Sequence, residues 1–154
     1  MHYFLKELWR DLNCPNAEKR KAAEREWSKN AARYSLDFDG VKPLLPSGFL
    51  SAYEKNSGFH DFTILSVSFL LPERTCRIRL SDGQTRGTLE LCGVTRYRFD
   101  LQSFENCVCG KPAWGYAEFS AAPAGTLQLS VLCDMDNEMS FEFRSLSFME
   151  DPAG

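Results

Sequence analysis

Three short stretches carry side chains able to do chemistry. "SGFHDFTIL", Ser57 to Leu65, places the only internal histidine, His60, beside Asp61. "CVCG", Cys107 to Gly110, sets two thiols one residue apart, and "CDMDNE", Cys133 to Glu138, gathers Asp134, Asp136 and Glu138. A His–Asp pair can supply the base and the orienting carboxylate of nucleophilic catalysis. Paired thiolates can share a soft metal. Closely spaced aspartates can form part of a calcium loop.

Each has a plainer reading. Adjacent residues on a strand point to opposite faces, so His60 and Asp61 at a strand start are not expected to bond each other. No nucleophile-elbow pattern G-x-S-x-G accompanies them. Side chains of this kind often satisfy backbone groups where a helix gives way to a strand. A closed zinc site needs four ligands, and Cys92, Cys133 and His60 have no paired spacing with Cys107 and Cys109. These are therefore expected to be thiols near a loop, with no metal and no cofactor. "DMDN" lacks the glycine of a calcium loop and lies between "LQLSVL" and "MSFEF", as a hairpin turn would. His60, Asp61, Asp134 and Asp136 remain as candidate binding side chains, joined by Arg77 and Arg79 of "TCRIRL".

The elements that position them follow from periodicity. Phe4, Leu5, Leu8, Trp9 and Leu12 share one helical face. Pro15 is placed to open a second helix, "NAEKRKAAEREWSKNAARY", with an apolar stripe of Ala23, Trp27, Ala31 and Tyr34. Trp9 and Trp27 are expected to pack the two helices on each other or on the sheet. "DFDGVKPLLPSG" reads as a connection, and Ser47 as the cap of a short helix ended by Gly58.

After Gly58 the period becomes two. Leu65, Val67, Phe69 and Leu71 share a face. Cys76, Ile78 and Leu80 point inward, with Arg77 and Arg79 outward. "TLEL", "YRFDL" and "TLQLSVLC" alternate likewise, "GYAEFSA" reads as a weaker strand, and a parity shift near Ser145 in "MSFEFRSLSFM" suggests a bulge. The hairpin after "TCRIRL" can turn on Asp82-Gly83 alone or on four residues, Asp82 to Thr85. The tight turn sets Arg79 opposite Arg86; the longer one sets Arg77 opposite Glu90 and Ile78 opposite Leu89. Cross-strand pairing favours the longer loop. The fold class is α+β: N-terminal helices, then a mainly antiparallel sheet of six to seven strands, curved or sandwich-like. A single domain is expected over 1–154, with a helical segment at 1–56 packed on a β-portion at 57–150.

The 154 residues include 12 Phe, 5 Tyr and 3 Trp, enough bulky apolar surface for a core. No stretch approaches the roughly 20 apolar residues of a membrane helix, and the opening lacks the build of a signal peptide. A cytoplasmic protein with reduced thiols is the expectation. In a secreted chain the six cysteines could form three disulfides, but nothing else in the sequence supports secretion. Residues 1–35 carry eight Lys/Arg and five Asp/Glu, the remainder ten and sixteen. That basic excess is thin beside the stripes nucleic-acid binders use. The acidic remainder suits a basic protein partner.

"YFLKELW" with the charged helix after it, and then "LLPSGFLSAYEKNSGFHDFTILSVSF", resemble a family of uncharacterised bacterial cytoplasmic proteins. The portion from "FHD" through "CGVTRYRFD" also resembles immunity proteins of bacterial polymorphic-toxin systems, with Gly93-Val94 and Phe99 fitting their later strand. "CVCG" and "DMDN" are outside both patterns, and neither carries a catalytic residue onto this chain. The resemblance implies a bacterial α+β protein and a toxin-neutralising role. The function expected is thus a non-catalytic protein-binding module. Behind it stand a small-ligand binder with a Phe-lined pocket in the sheet, and, last, a hydrolase using His60 with nearby carboxylates.

Overall fold

A computed structural model of the protein describes residues 1–100, 112–134 and 137–151. Cys107, Cys109 and Asp136 lie outside the described residues. Among those described, three helices precede eight strands: α1 (Lys6–Leu12), α2 (Ala17–Val41), α3 (Ser47–Lys55), β1 (Thr63–Leu70), β2 (Thr75–Ser81), β3 (Arg86–Cys92), β4 (Arg96–Asp100), β5 (Trp114–Ala122), β6 (Thr126–Cys133), β7 (Glu138–Phe143) and β8 (Ser145–Glu150). The strands form two antiparallel four-stranded sheets, β1-β2-β3-β8 and β4-β7-β6-β5. The class is α+β, as the alternation after Gly58 required. The strands divide between two sheets rather than lying in one.

Local chemistry explains the helix ends. Pro15 does not begin α2; Asn16 caps it, its side chain accepting from the Lys19 N–H at 3.0 Å. Ser47 is the first residue of α3 and makes no cap bond. α2 runs on through Gly40 into what reads as a connection. A helical glycine costs only about 1 kcal/mol. Burial of Val41, and the Phe38 ring against Tyr34, Tyr53 and Phe119, outweighs it. Pro43 then turns the chain into a 3-10 turn at Lys42–Leu44.

The β2–β3 hairpin takes the four-residue loop, with Arg77 opposite Glu90, Ile78 opposite Leu89 and Arg79 opposite Thr88. The Asp82 side chain holds the loop, accepting from Gln84 N at 2.9 Å and Thr85 N at 2.6 Å. The bulge expected at Ser145 is instead a change of sheet. Phe143 faces the core from one sheet and Leu146 from the other, with exposed Arg144 as the pivot. A bulge does occur in β1, between Ile64 and Ser66. It brings Ile64 inward in place of Leu65, and Leu71 is left 74% exposed.

Between the sheets, Phe59, Phe119, Phe141 and Phe143 are almost fully buried with Ile78, Leu89 and Leu129. The second half of α2 lies along β5 and α3 lies against β8, covering one open side of the sandwich. α1 and the start of α2 lie over the outer face of the β5 sheet. There Tyr116 of β5 meets Trp9 at 5.8 Å and Trp27 at 4.8 Å, and the two tryptophans stand 6.0 Å apart. Among the described residues no helix is long and apolar enough to cross a membrane.

Candidate functional site

The junction from α3 to β1 carries unusual backbone. Ser57, Phe59 and Asp61 all have positive φ, at 51°, 62° and 67°. Such a conformation is uncommon outside glycine and is retained only where surroundings over-determine it. Here the anchor is the Phe59 ring, fully buried against Phe49, Tyr53, Phe62, Trp114 and Phe148. Because Asp61 is left-handed rather than extended, His60 and Asp61 do not point apart. The His60 Nδ1 stands 3.0 Å from Asp61 Oδ2, which corrects the expectation drawn from strand geometry. The pair sits one turn before the strand begins.

Backbone pairing brings the pair to β5 and β6. Asp61 N–H donates to Trp114 O at 2.8 Å, Trp114 N–H donates to Phe62 O at 2.7 Å, and Asp134 N–H donates to Ala113 O at 3.2 Å. His60, Asp61 and Asp134 therefore meet at one end of the sandwich. With Trp9, Tyr116 and Cys133 they line a narrow cleft of about 50 Å³. Beside it a wider groove of about 540 Å³ runs between Phe4, Tyr34, Tyr53, His60, Asp61 and Tyr116. Gly115 forms part of its floor. A Cβ there would stand 2.5 Å from the Leu132 carbonyl oxygen, so only glycine fits.

The Tyr116 ring receives the His60 edge at 4.8 Å. Its hydroxyl is pushed up from the ordinary tyrosine range, first by burial and then by the Asp61 carboxylate. Burial raises the Tyr34 and Tyr53 hydroxyls as well, so all three remain protonated donors at neutral pH. The Asp61 side chain is 86% exposed, so an aromatic wall ends in an open carboxylate.

The other candidates lie elsewhere. Arg77 and Arg79 are on the outer face of the opposite sheet, paired with Glu90 at 2.6 Å and Asp151 at 3.4 Å. Among the described residues no hydroxyl or thiol hydrogen-bonds the His60 ring, and no three His, Cys, Asp or Glu side chains converge as a metal site would require.

Sequence reasoning passed over Glu118. It lies on the outer face of β5, only 7% exposed. Its carboxylate accepts three backbone bonds from the N-terminal segment, from His2, Tyr3 and Phe4 N–H, each at 2.7 Å. The Met1 amine meets Glu138 at 2.9 Å, and Lys6 meets Asp100 at 2.6 Å. Asn30 of α2, itself buried, donates to Tyr3 O at 3.0 Å. These contacts fix Phe4 and α1 against Tyr116 and thereby build one wall of the groove. A carboxylate amid "GYAEFSA" was the available signal.

No protein-family model matches the chain, and no curated protein matches it. Among solved structures it is similar to an uncharacterized protein from Neisseria gonorrhoeae, at 11% identity over 58% of this chain and 91% of that one, with a TM-score of 0.46.

Proposed function

We propose that the protein is a non-catalytic protein-binding module that receives a basic segment of its partner in the groove at His60, Asp61 and Tyr116, beside the cleft that holds Asp134. The observation carrying this reading is the exposed Asp61 carboxylate at the end of a wall of aromatic rings. Aromatic side chains supply most of the anchoring surface in protein interfaces, and a carboxylate beside them suits lysine or arginine. The acidic balance beyond residue 35 supports the same partner charge. The immunity-protein resemblance of the β-portion makes a bacterial toxin the specific partner of this reading, and a toxin gene beside this one would support it. Among the described residues no hydroxyl or thiol hydrogen-bonds the His60 ring to support the hydrolase reading, and between the sheets the Phe69 and Phe99 rings pack on Phe141.

Trp9 lines the cleft beside the groove and its ring meets Tyr116, which lines both, so tryptophan emission reports occupancy at this end of the sandwich. Titration with hexa-arginine is expected to change the emission saturably, and hexaglutamate is not. Asp61→Asn should weaken hexa-arginine binding by about tenfold, the loss of one charge-assisted contact. Equal responses to both peptides, or no effect of Asp61→Asn, would remove the groove as the binding surface.

A further inference from the structure

Each sheet ends in two edge strands, and three of the four are protected. α2 lies along β5, α3 lies against β8, and β4 carries Arg96, Arg98 and Asp100. β1 has no such cover among the described residues. From Leu65 to Leu71 it reads "LSVSFLL", with no charge and no proline. An edge strand presents a row of unpaired backbone groups, and natural sheets blunt that edge with a cover, a charge or a proline. Among the described residues only the start of β1 is bonded on this side, where Ile64 N–H donates to Pro112 O at 2.9 Å. Asp100 and Pro112 both stand at the end of the sandwich where β1 begins, whereas Ser68 to Leu71 lie toward the opposite end.

We propose that β1 is a dimerisation edge, which pairs antiparallel with β1 of a second copy of this chain about a two-fold axis at Ser68. Beyond the bulge, Ser66 to Leu70 pair without interruption with β2, so the far edge of these residues is a regular ladder. Ser68 is its midpoint. Two copies centred there set Ser68 opposite Ser68, Val67 opposite Phe69 and Ser66 opposite Leu70. The inward pairs are then apolar on apolar, and no charge is opposed. The next pair sets Leu71, otherwise exposed, at the level of Leu65 of the second copy. A slip by one residue would lay serines against the apolar set, so the pleat selects this parity. A two-fold contact of this kind closes at two copies, because each chain has one such edge.

The rings beside the edge support the same occupant. Phe69 of β1 stands 4.5 Å from Tyr97 and 6.1 Å from Phe99 of β4, where the two sheets meet at their open side. Tyr97 pairs in register with buried Phe141, yet it is 54% exposed. Exposed aromatic rings grouped with an unprotected edge mark an interaction surface rather than scattered apolar residues. A strand added to β1 covers the backbone edge, and the body of a second copy behind that strand covers the rings. The uncharged strand offers nothing to attract a charged peptide. It does match itself, residue against residue, and that self-match selects a second copy as the occupant.

Sedimentation equilibrium of the full chain from about 1 to about 300 μM tests this. The mass should rise from one chain to two with a Kd of about 10–100 μM, the range of a small interface. Ser68→Lys sets like charges opposite each other on the axis and should weaken the dimer by about tenfold or more. Ser68 is exposed, so this variant should keep the wild-type Tm at low concentration. Ser147→Lys, at an exposed position of β8, should leave the dimer within about twofold. Facing residues of antiparallel strands stand about 4.5–5.5 Å apart, within reach of a disulfide. Oxidation with copper phenanthroline should therefore cross-link Ser68→Cys into a dimer above the wild-type background, and Ser147→Cys should stay at that background. The cross-link decides the matter if Ser68→Lys fails to fold. A single chain at about 300 μM, growth beyond two copies, a dimer indifferent to Ser68→Lys, or one that Ser68→Cys does not cross-link would overturn the proposal.

Discussion

Glu118→Ala isolates the fastening of the N-terminal segment. Three backbone N–H groups converge on this carboxylate at 2.7 Å each. A hydrogen bond to a charged acceptor contributes about 1.5–3 kcal/mol net, so simple addition gives about 4.5–9 kcal/mol. That sum is a ceiling, because the segment can detach and let water satisfy its amides. Detachment exposes Phe4, which is 7% exposed when docked, and re-exposure of a phenylalanine costs about 1.5–3 kcal/mol. It also frees the backbone of residues 1–4, worth about 1–2 kcal/mol per residue in the opposite sense. The net loss for Glu118→Ala is therefore expected near 3 kcal/mol. Glu118→Gln keeps the volume and one acceptor oxygen, and should lose about half as much. Urea unfolding gives the stability, and hydrogen exchange by mass spectrometry follows a peptide spanning residues 1–12. Both variants should raise exchange there while β2 and β3 stay protected. A stability change below about 0.5 kcal/mol for Glu118→Ala, with N-terminal exchange unaltered, would show that the three bonds do not hold the segment.

Two further outcomes follow from local geometry. A Cβ at Gly87 would lie 2.3 Å from the Phe148 ring and 2.8 Å from the Met149 carbonyl oxygen, so Gly87→Ala should destabilise by about 1–3 kcal/mol in thermal unfolding. A wild-type Tm would show that β3 and β8 separate more readily than their pairing suggests. Backbone bonds from Thr85 and Gln84 hold the Asp82 carboxyl below its ordinary range. A depressed folded-state pKa means stability that is present above the unfolded value of about 4 and lost as pH falls through the folded one. Asp82→Asn should therefore lower stability at pH 7 and change little at a pH below the folded value, so that the acid side of the stability–pH curve flattens below about pH 5. An unchanged acid limb would refute the role given to Asp82.

The β-portion was legible because its signals are short-ranged. Alternation in "TCRIRL" and "TLEL" fixed which residues face inward, and a comparison of opposite residues chose the loop after Ser81. That hairpin closes within a few residues, so its partners are neighbours in sequence. β5 read as weak because Ala117, Glu118 and Phe119 are buried in succession, with helices and the N-terminal segment covering what would otherwise be its polar face. Local periodicity cannot register a cover supplied by residues more than a hundred positions away. Gly40 likewise looked like an end, since the packing of Phe38 and Val41 that carries α2 past it depends on β5 and α3.

The candidate site divides along the same line. The sequence by itself determined that His60, Asp61 and Asp134 flank the strands at turns. It did not determine that they meet, and it grouped with them Arg77 and Arg79, which belong to the other sheet. It also set His60 and Asp61 apart, because strand geometry was the local rule to apply. Tertiary structure reversed that. The buried Phe59 ring holds the junction left-handed and turns the two side chains together, at an energetic cost that only packing from five other rings offsets. Composition determined an acidic β-portion rich in aromatic residues. Only the fold decided that one aspartate ends an aromatic wall and that Glu118 fastens the segment forming it, because both arrangements join residues far apart in the chain.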